Sequence, residues 1–290
     1  MKKFIILIPV YNDWKSVFKL LENIDVQIKD WDAEVSVLIV NDASTEKRPK
    51  TELDFKNIKS LRVINMKQNK GHARWNAPGL KYISEKENFD YVILMDGDGE
   101  DRPEEIKNFV EYINYTSDKP IVGERVKRSE SLFFRFCYSV HKTLTFTFTG
   151  QIIKFGNYTC LPKSTVEKMI NDKATWSSFS GALAKLEKER SVVPSIRGSR
   201  YFGPSKMSFK NLIIHSLSII SVFKINVLVR SILFLAVYIF LIHQNITVTT
   251  LIPIPLVVIF LVSIFSISRR ENLEALNTSL SNISGIDNVK

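Results

Sequence analysis

Solid apolar runs and amphipathic stretches alternate through the first two thirds of this chain. Phe4–Val10 is apolar throughout, the pattern of a strand buried on both faces. Lys15–Ile24 spaces Val17, Leu20, Leu21 and Ile24 along one face of a helix. Val35–Val40, Leu61–Asn65 and Tyr91–Met95 repeat the strand pattern. Gly71–Glu85, interrupted by Pro78 and Gly79, and Pro103–Tyr112 read as helices. This alternation over residues 1–210 predicts an α/β domain, a mostly parallel sheet with helices on both faces. No internal repeat or low-complexity segment interrupts it.

The pattern changes after residue 210. Asn211–Phe223 mixes Leu212, Ile213, Leu217, Ile220 and Phe223 with polar residues. It suits either a helix lying along a membrane interface, over 211–224, or a last core helix of the domain. From Ser231 to Ser268 there is no Lys, Arg, Asp or Glu. One helix of that length would extend about 57 Å, too long for a hydrocarbon core of about 30 Å. His243–Thr247 supplies a polar break, and Pro253 and Pro255 suit the first turn of a second helix. The expectation is a transmembrane hairpin over 225–268, with helices at about 225–242 and 251–267. A helical hairpin buried inside a soluble protein is the alternative. Lys224 and Arg230 flank the first helix, Arg269 and Arg270 follow the second, and the turn carries no cation. That asymmetry predicts that residues 1–210 and both termini lie in the cytoplasm of a multi-pass cell-membrane protein. Residues 269–290, polar and Ser/Asn-rich, are expected to form a loose cytoplasmic tail.

Charge and cysteine content narrow the function. The chain has 290 residues and a net charge of +10, so an anionic partner is expected: nucleic acid, an anionic membrane or a phosphorylated substrate. The cations lie near the membrane flanks and no nucleic-acid-binding motif accompanies them, which argues against nucleic acid. Cys137 and Cys160 form neither a disulfide framework nor a zinc spacing. Met1–Val10 resembles a signal peptide only slightly, because Pro9, Asn12 and Asp13 end the run without a cleavage site.

Ligands of open α/β sheets sit at the carboxyl ends of the strands. Polar clusters follow four of the strands here: Tyr11-Asn12-Asp13, Asn41-Asp42-Ala43-Ser44, Asn69-Lys70-Gly71, and Asp96 to Asp101. In the last, Asp96, Asp98 and Glu100 alternate, with Asp101 adjacent. Their mutual repulsion would be relieved by a divalent cation, and all-oxygen ligands suit Mg²⁺ or Mn²⁺ shared with substrate phosphates. An EF-hand loop is excluded, since its final glutamate position holds Lys107. A solvated acidic turn capping the Pro103 helix is the plainer alternative.

Together these residues resemble the family-2 glycosyltransferases of GT-A (Rossmann-like) fold, and within them the dolichol-phosphate mannose synthase and bacterial polyprenyl-phosphate glycosyltransferase group. The resemblance runs from Ile8 to about Lys206. Ile8–Asp13 resembles V-P-V-Y-N-E, Val40–Thr45 resembles V-D-D-G-S-T, and Asn69-Lys70-Gly71 resembles N-x-G. Asp96–Glu104 resembles D-A-D-L-Q-D-P-P-E, Gly123-Glu124-Arg125 resembles G-S-R, and Arg200–Lys206 resembles R-x-x-G-x-S-K. The resemblance implies a nucleotide-sugar donor held by Pro9, Tyr11, Asp13, Asp42, Asn69, Gly71 and Asp96. Asp42 would meet the base, and Asp98 and Glu100 would hold the metal on the diphosphate. It implies catalytic roles for Asp96, Asp98 and Arg125, and an acceptor phosphate bound by Arg125, Arg128, Arg200, Ser205 and Lys206, where arginine adds a bidentate fork. Surface solvation is the alternative for each cation. His72, Trp75 and Trp176–Leu186 lie near these motifs and read mainly as packing.

Departures are informative. Asn41 and Ala43 replace an Asp and a Gly of the second motif, and Glu100 replaces a Gln. Phe155–Thr159 aligns with T-G-D-F-R, so Asn157 replaces an acid and Thr159 an Arg. Asn cannot act as a general base. A lipid phosphate is already anionic near neutral pH and needs none. The expected function is therefore a membrane-anchored, metal-dependent, inverting glycosyltransferase acting on a polyprenyl phosphate. Two alternatives stay open: transfer to a hydroxyl of an envelope glycan or glycolipid, and a non-enzymatic nucleotide-sugar-binding protein. A homo-oligomer is compatible with the sequence.

Overall fold

The computed structural model describes residues 1–49, 54–71, 74–113, 118–127, 132–204 and 208–290. Eight strands form one sheet: β1 (Lys2–Val10), β2 (Ala33–Asn41), β3 (Ser60–Met66), β4 (Tyr91–Leu94), β5 (Ile121–Lys127), β6 (Phe155–Pro162), β7 (Ser191–Ile196) and β8 (Ile283–Asn288). Their spatial order is β7-β5-β6-β4-β1-β2-β3-β8. β1 runs parallel to β2 and β4, β2 to β3, and β5 to β7. β6 is antiparallel to β4 and β5, and β8 antiparallel to β3. The α/β expectation of a mostly parallel sheet is met.

The helices are α1 (Trp14–Gln27), α2 (Asn76–Lys86), α3 (Ile106–Ile113), α4 (Leu132–Thr149), α5 (Lys163–Ile170), α6 (Phe179–Leu186), α7 (Phe209–Ser221), α8 (Lys224–Ile242), α9 (Val248–Leu251), α10 (Pro253–Ser268) and α11 (Leu273–Asn277). Strand alternation sorts the core into two layers. Phe4, Ile6, Ile8, Val37 and Ile39 face α1 and α3 through Val17, Leu20, Leu21, Ile24, Ile106 and Phe109. Ile5, Leu7, Leu38 and Val40 face α2, α5 and α6 through Leu80, Ile83, Val166, Met169 and Leu183. Pro78 falls in the first turn of α2, where the missing N–H has no intrahelical partner to lose. A Cβ on Gly79 would lie 2.5 Å from Leu7 Cδ1 and 3.0 Å from Val40 Cγ2, so glycine lets α2 approach the sheet.

Two helices are long and apolar enough to cross a membrane. They span Lys224–Ile242 and Val248–Asn277, with mean hydropathies of 2.4 and 2.6 over their most apolar 18 residues, and only 11% of each such stretch is buried in the protein. That low burial disfavours the soluble-hairpin alternative, because a core helix would be covered. Their feet are pinned to the domain. Lys224 Nζ lies 2.9 Å from Glu271 Oε2, and Arg270 Nη1 is 3.4 Å from Ser218 Oγ. Arg230, though inside α8, donates to Thr147 O at 3.1 Å, and Asn226 Nδ2 to Thr149 O at 3.2 Å. Both serve the unsatisfied carbonyls at the end of α4, where a cation also meets the helix dipole favourably. α7 buries Ser218–Ser221 against the domain and leaves Phe209 and Ile213 exposed.

The loose tail is corrected. After α11 and a 3-10 turn at Ser279–Asn282, β8 pairs with β3 from Arg62↔Asn288 to Met66↔Ile283. Without it β3 would be an open sheet edge. Ile283 and Val289 pack on the two core layers.

Candidate nucleotide-sugar site

The carboxyl ends of β1, β2, β3 and β4 converge, and the loops after them carry most of the expected donor residues. Pro9 is buried at the end of β1; Tyr11 and Asp13 are half-buried beyond it. Asp13 precedes α1 and accepts from Ser16 Oγ at 2.6 Å. Asp42 is buried, with a function inside the protein. Its Oδ1 accepts from Lys70 N at 3.0 Å, and its Oδ2 from Gly71 N at 3.1 Å and Trp75 Nε1 at 2.6 Å. Burial raises its pKa, while these donors favour the ionised form. A base would meet only the acceptor capacity they leave. Asn69 is exposed, and Gly71 has φ +85°, a left-handed turn that glycine adopts without strain. Ala43, where the resembled family has glycine, has φ +57° and is strained.

The acidic loop after β4 is folded tightly on itself. Asp96 N donates to Asp101 Oδ2 at 2.9 Å, and Glu100 N to Asp98 Oδ1 at 3.0 Å. Asn157 Nδ2 donates to Asp96 Oδ1 at 2.8 Å. An acid at 157 would face Asp96 with like charge; the amide binds it instead. Burial and then the Asp96 charge push Asp101 up to about 8, against the opposing pull of Arg125. Burial and then Asp96 raise Asp98 to about 6.

A second segment lies across this loop. Gly198 N donates to Glu100 O at 2.8 Å and Tyr201 N to Asp98 O at 2.9 Å. A Cβ on Gly198 would sit 2.8 Å from Gly99 O, and the Tyr201 ring covers Gly99. The clamp delivers two cations. Arg200 Nη1 reaches Asp98 Oδ2 and Nη2 reaches Asp13 Oδ2, each at 2.5 Å. Arg197 pairs with Glu100. Arg200, assigned from sequence to an acceptor phosphate, is thus seated among the carboxylates of the expected donor site. Arg125 also faces them: its Nη2 is 3.8 Å from Asp101 Oδ1. Arg128, Ser205 and Lys206 lie outside the described residues. Arg197, Trp75 and Asn157 acquire contacts that sequence reasoning did not assign. The only signal for Arg197 was its place beside Gly198, three residues before Arg200.

A divalent cation fits this donor set. Asp98 and Glu100 offer hard oxygens at a spacing of two residues, and each is paired with a guanidinium that a bound cation would have to displace or share the carboxylate with. Among the described residues no cluster of three or more His, Cys, Asp or Glu could cage a metal. Two carboxylates suit an ion that takes its remaining ligands from water and substrate phosphates.

Comparison with known proteins identifies the fold and the family. Undecaprenyl-phosphate 4-deoxy-4-formamido-L-arabinose transferase of Klebsiella pneumoniae (strain 342) is 27% identical over 221 residues, 73% of this chain and 65% of that protein. The protein of the same description in Photorhabdus laumondii is also 27% identical over 221 residues. The chain therefore spans 65% of the length of these relatives. Among solved structures, S. aureus TarS 1-349 in complex with UDP-GlcNAc superposes with a TM-score of 0.53 at 14% identity, covering 97% of this chain and 89% of that one. Glucosyl-3-phosphoglycerate synthase from Mycobacterium tuberculosis, in complex with Mn²⁺, UDP and phosphoglyceric acid, gives 0.54 at 13% identity over 78% of each chain. These likenesses establish the GT-A fold. Residues 5–176, more than half of the chain, match the family model for glycosyl transferase family 2, and the chain belongs to that family.

Proposed function

We propose that this protein is a membrane-anchored glycosyltransferase that moves a sugar from a nucleotide-sugar to a polyprenyl phosphate, with inversion at the anomeric carbon. The observation that carries the acceptor class is the contact between Asn157 and Asp96. The position that would hold an acid in the resembled family is an amide, and it is spent on fixing Asp96. Asp98 and Glu100 are paired with arginines, and Asp101 is held near 8, above neutral pH. The amide at position 157 cannot take a proton from a sugar hydroxyl, whereas a phosphate acceptor arrives ionised and needs no base. The apolar hairpin supports a lipid-borne acceptor, as do relatives described as undecaprenyl-phosphate transferases.

The nucleotide would lie over the ends of β1 and β2, against Pro9, Tyr11 and the Asp42–Gly71 turn. Asp98 and Glu100 would hold a divalent cation, Mg²⁺ or Mn²⁺, that offsets charge on the leaving diphosphate. Arg197 and Arg200, pre-placed beside the same carboxylates, supply positive charge from the chain itself. Arg125, Arg128, Ser205 and Lys206 are the remaining residues for the acceptor phosphate. The hairpin would hold the domain at the cytoplasmic face, with both termini on that side.

The test is transfer of radiolabel from a panel of nucleotide-sugars in the presence of Mn²⁺. Label entering organic-extractable lipid only when undecaprenyl phosphate is supplied is the expected result. Label entering glycolipid acceptors alone would assign a hydroxyl acceptor, and no transfer or donor hydrolysis with any sugar would refute an enzymatic function.

A further inference from the structure

The loop after β2 carries Asp42, and its shape depends on a side-chain relay that begins at the far end of the chain. Asp287, on β8, accepts from Asn65 Nδ2 at 3.1 Å. Asn65 Oδ1 accepts from Asn41 Nδ2 at 2.9 Å, and Asn41 Oδ1 accepts from Ser44 N at 3.0 Å. Ser44 Oγ then accepts from Asn12 N at 2.9 Å, and Asn12 Oδ1 accepts from Thr45 N and Glu46 N at 2.8 and 3.0 Å. Arg48, at the loop's far end, lies 3.2 Å from the same Asp287 carboxylate. Three strands and the loop after β1 are therefore joined by one polar chain. A cavity of about 400 Å³ lies against it, between Trp14, Phe18, Asn41, Arg48 and Asp287. Apolar packing does not fill that space, so the hydrogen bonds position the loop.

The direction of the relay is forced. A carboxylate only accepts, so Asn65 must turn its NH₂ toward Asp287 and its carbonyl toward position 41. Position 41 must then donate. Asn does; Asp cannot. The amide at 41, which departs from the paired acids of the resembled family, is thus the partner that the acid at 287 requires.

We propose that Asp287 is a positioning residue for the nucleotide-sugar: through Asn65 and Asn41 it sets the loop that bears Asp42, which makes the strand following the apolar hairpin part of the donor site. This rests on the reading that the nucleotide lies at these strand ends. The experiment uses the detergent-solubilised full chain and three variants: Asn41→Asp, Asp287→Asn and the double Asn41→Asp/Asp287→Asn. Calorimetry measures affinity for the nucleotide-sugar that supports transfer, and hydrogen exchange measures protection of residues 43–48.

Asn41→Asp sets two acceptors against one amide and should weaken binding roughly 10- to 100-fold, with faster exchange in the loop. Asp287→Asn keeps an acceptor for Asn65 but gives up the Arg48 ion pair, so it should weaken binding and loop protection less than Asn41→Asp does. The double variant lets the Asn65 amide turn over, with the new amide at position 287 donating and the new carboxylate at position 41 accepting, and should restore both readouts to the level of Asp287→Asn. A merely structural contribution of β8 would not produce that specific rescue. Wild-type affinity in Asn41→Asp, or a double variant no better than it, would overturn the proposal. Should the wild type bind no nucleotide-sugar, the nucleotide reading fails, and the relay then stands or falls on the exchange pattern alone. If Asn41→Asp does not fold, recovery of folding in the double variant supports the relay, and failure to recover refutes it.

Discussion

Replacing Arg200 with Ala tests whether the acidic loop is built around a cation. Arg200 bridges Asp13, at the start of α1, to Asp98, in the loop after β4. All three side chains are 15–17% exposed, so solvent screens them only in part. Two charge-assisted hydrogen bonds are each worth roughly 1.5–3 kcal/mol. Asp13 retains Ser16 Oγ and Asp98 retains the Glu100 amide, which softens the loss. Removing one side of a partly buried ion pair should then cost about 2–4 kcal/mol, lowering the unfolding midpoint by roughly 3–7 °C for a chain of 290 residues. The same change frees two carboxylates, so Mn²⁺ or Mg²⁺ should bind more tightly to the variant than to the wild type. At one hundred times its dissociation constant the metal would return about 2.7 kcal/mol. The assay is thermal unfolding of the solubilised protein with and without Mn²⁺, with Ca²⁺-free buffer as reference and no substrate present. A variant as stable as the wild type, or one destabilised but indifferent to divalent cations, would refute the reasoning.

Three further outcomes are expected. Ala43→Gly should stabilise the protein by about 0.5–1 kcal/mol, because a left-handed backbone strains Ala and not Gly; a lower unfolding midpoint would contradict this. Asp25 accepts from Lys56 N, Asn57 N and Ile58 N at 3.1, 2.8 and 2.8 Å. Burial opposes its ionisation, but these donors prevail and hold its pKa below 3.8. Its stabilisation is present above about pH 4 and lost as pH falls through the depressed value, and Asp25→Ala should flatten that acid limb while costing about 1–3 kcal/mol near neutrality. A cysteine at position 245 should react with an impermeant reagent outside intact cells and one at position 281 should not; the reverse pattern would invert the proposed topology.

The parts of the fold legible in the sequence were those whose residues are apolar regardless of neighbours. β1 to β4 are buried on both faces, and α1 to α3 carry wide apolar stripes, so periodicity alone located them. β5, β6 and β7 were not identified. β6 reads Phe-Gly-Asn-Tyr-Thr-Cys-Leu-Pro, where Asn157 and Thr159 are polar for the sake of the site, and β7 contains Pro194, tolerated because β7 is an edge strand. β8 was hidden by composition, its few apolar residues being outweighed by serine and asparagine. In the site, alternating carboxylates announced the acidic loop. Their arginine partners could not be read, since Arg197 and Arg200 reach them only because Gly198 lets its segment lie against Gly99 and Glu100.

The position of the hairpin in the fold follows from the same hidden strand. β7 and β8 are the two opposite edges of the sheet. The chain leaves one edge after β7, runs through α7 to α10, and returns through α11 to the other. The apolar hairpin is thus inserted in the domain and not merely appended to it. The Lys224–Glu271 ion pair joins the entering and returning segments where the hairpin begins and ends. Glu271 also lies 4.0 Å from Lys173, in the 3-10 turn whose Trp176 ring packs under Arg74. Arg74 in turn donates to Lys70 O, beside the turn that Asp42 holds. On one side, then, the base of the hairpin is tied to the Asp42–Gly71 turn through Glu271, Lys173 and Trp176. On the other, Asp287 ties β8 to the loop after β2. Both ties converge on the segment that bears Asp42. The geometry of the expected nucleotide pocket is therefore tied to how the base of the apolar hairpin is seated on the domain.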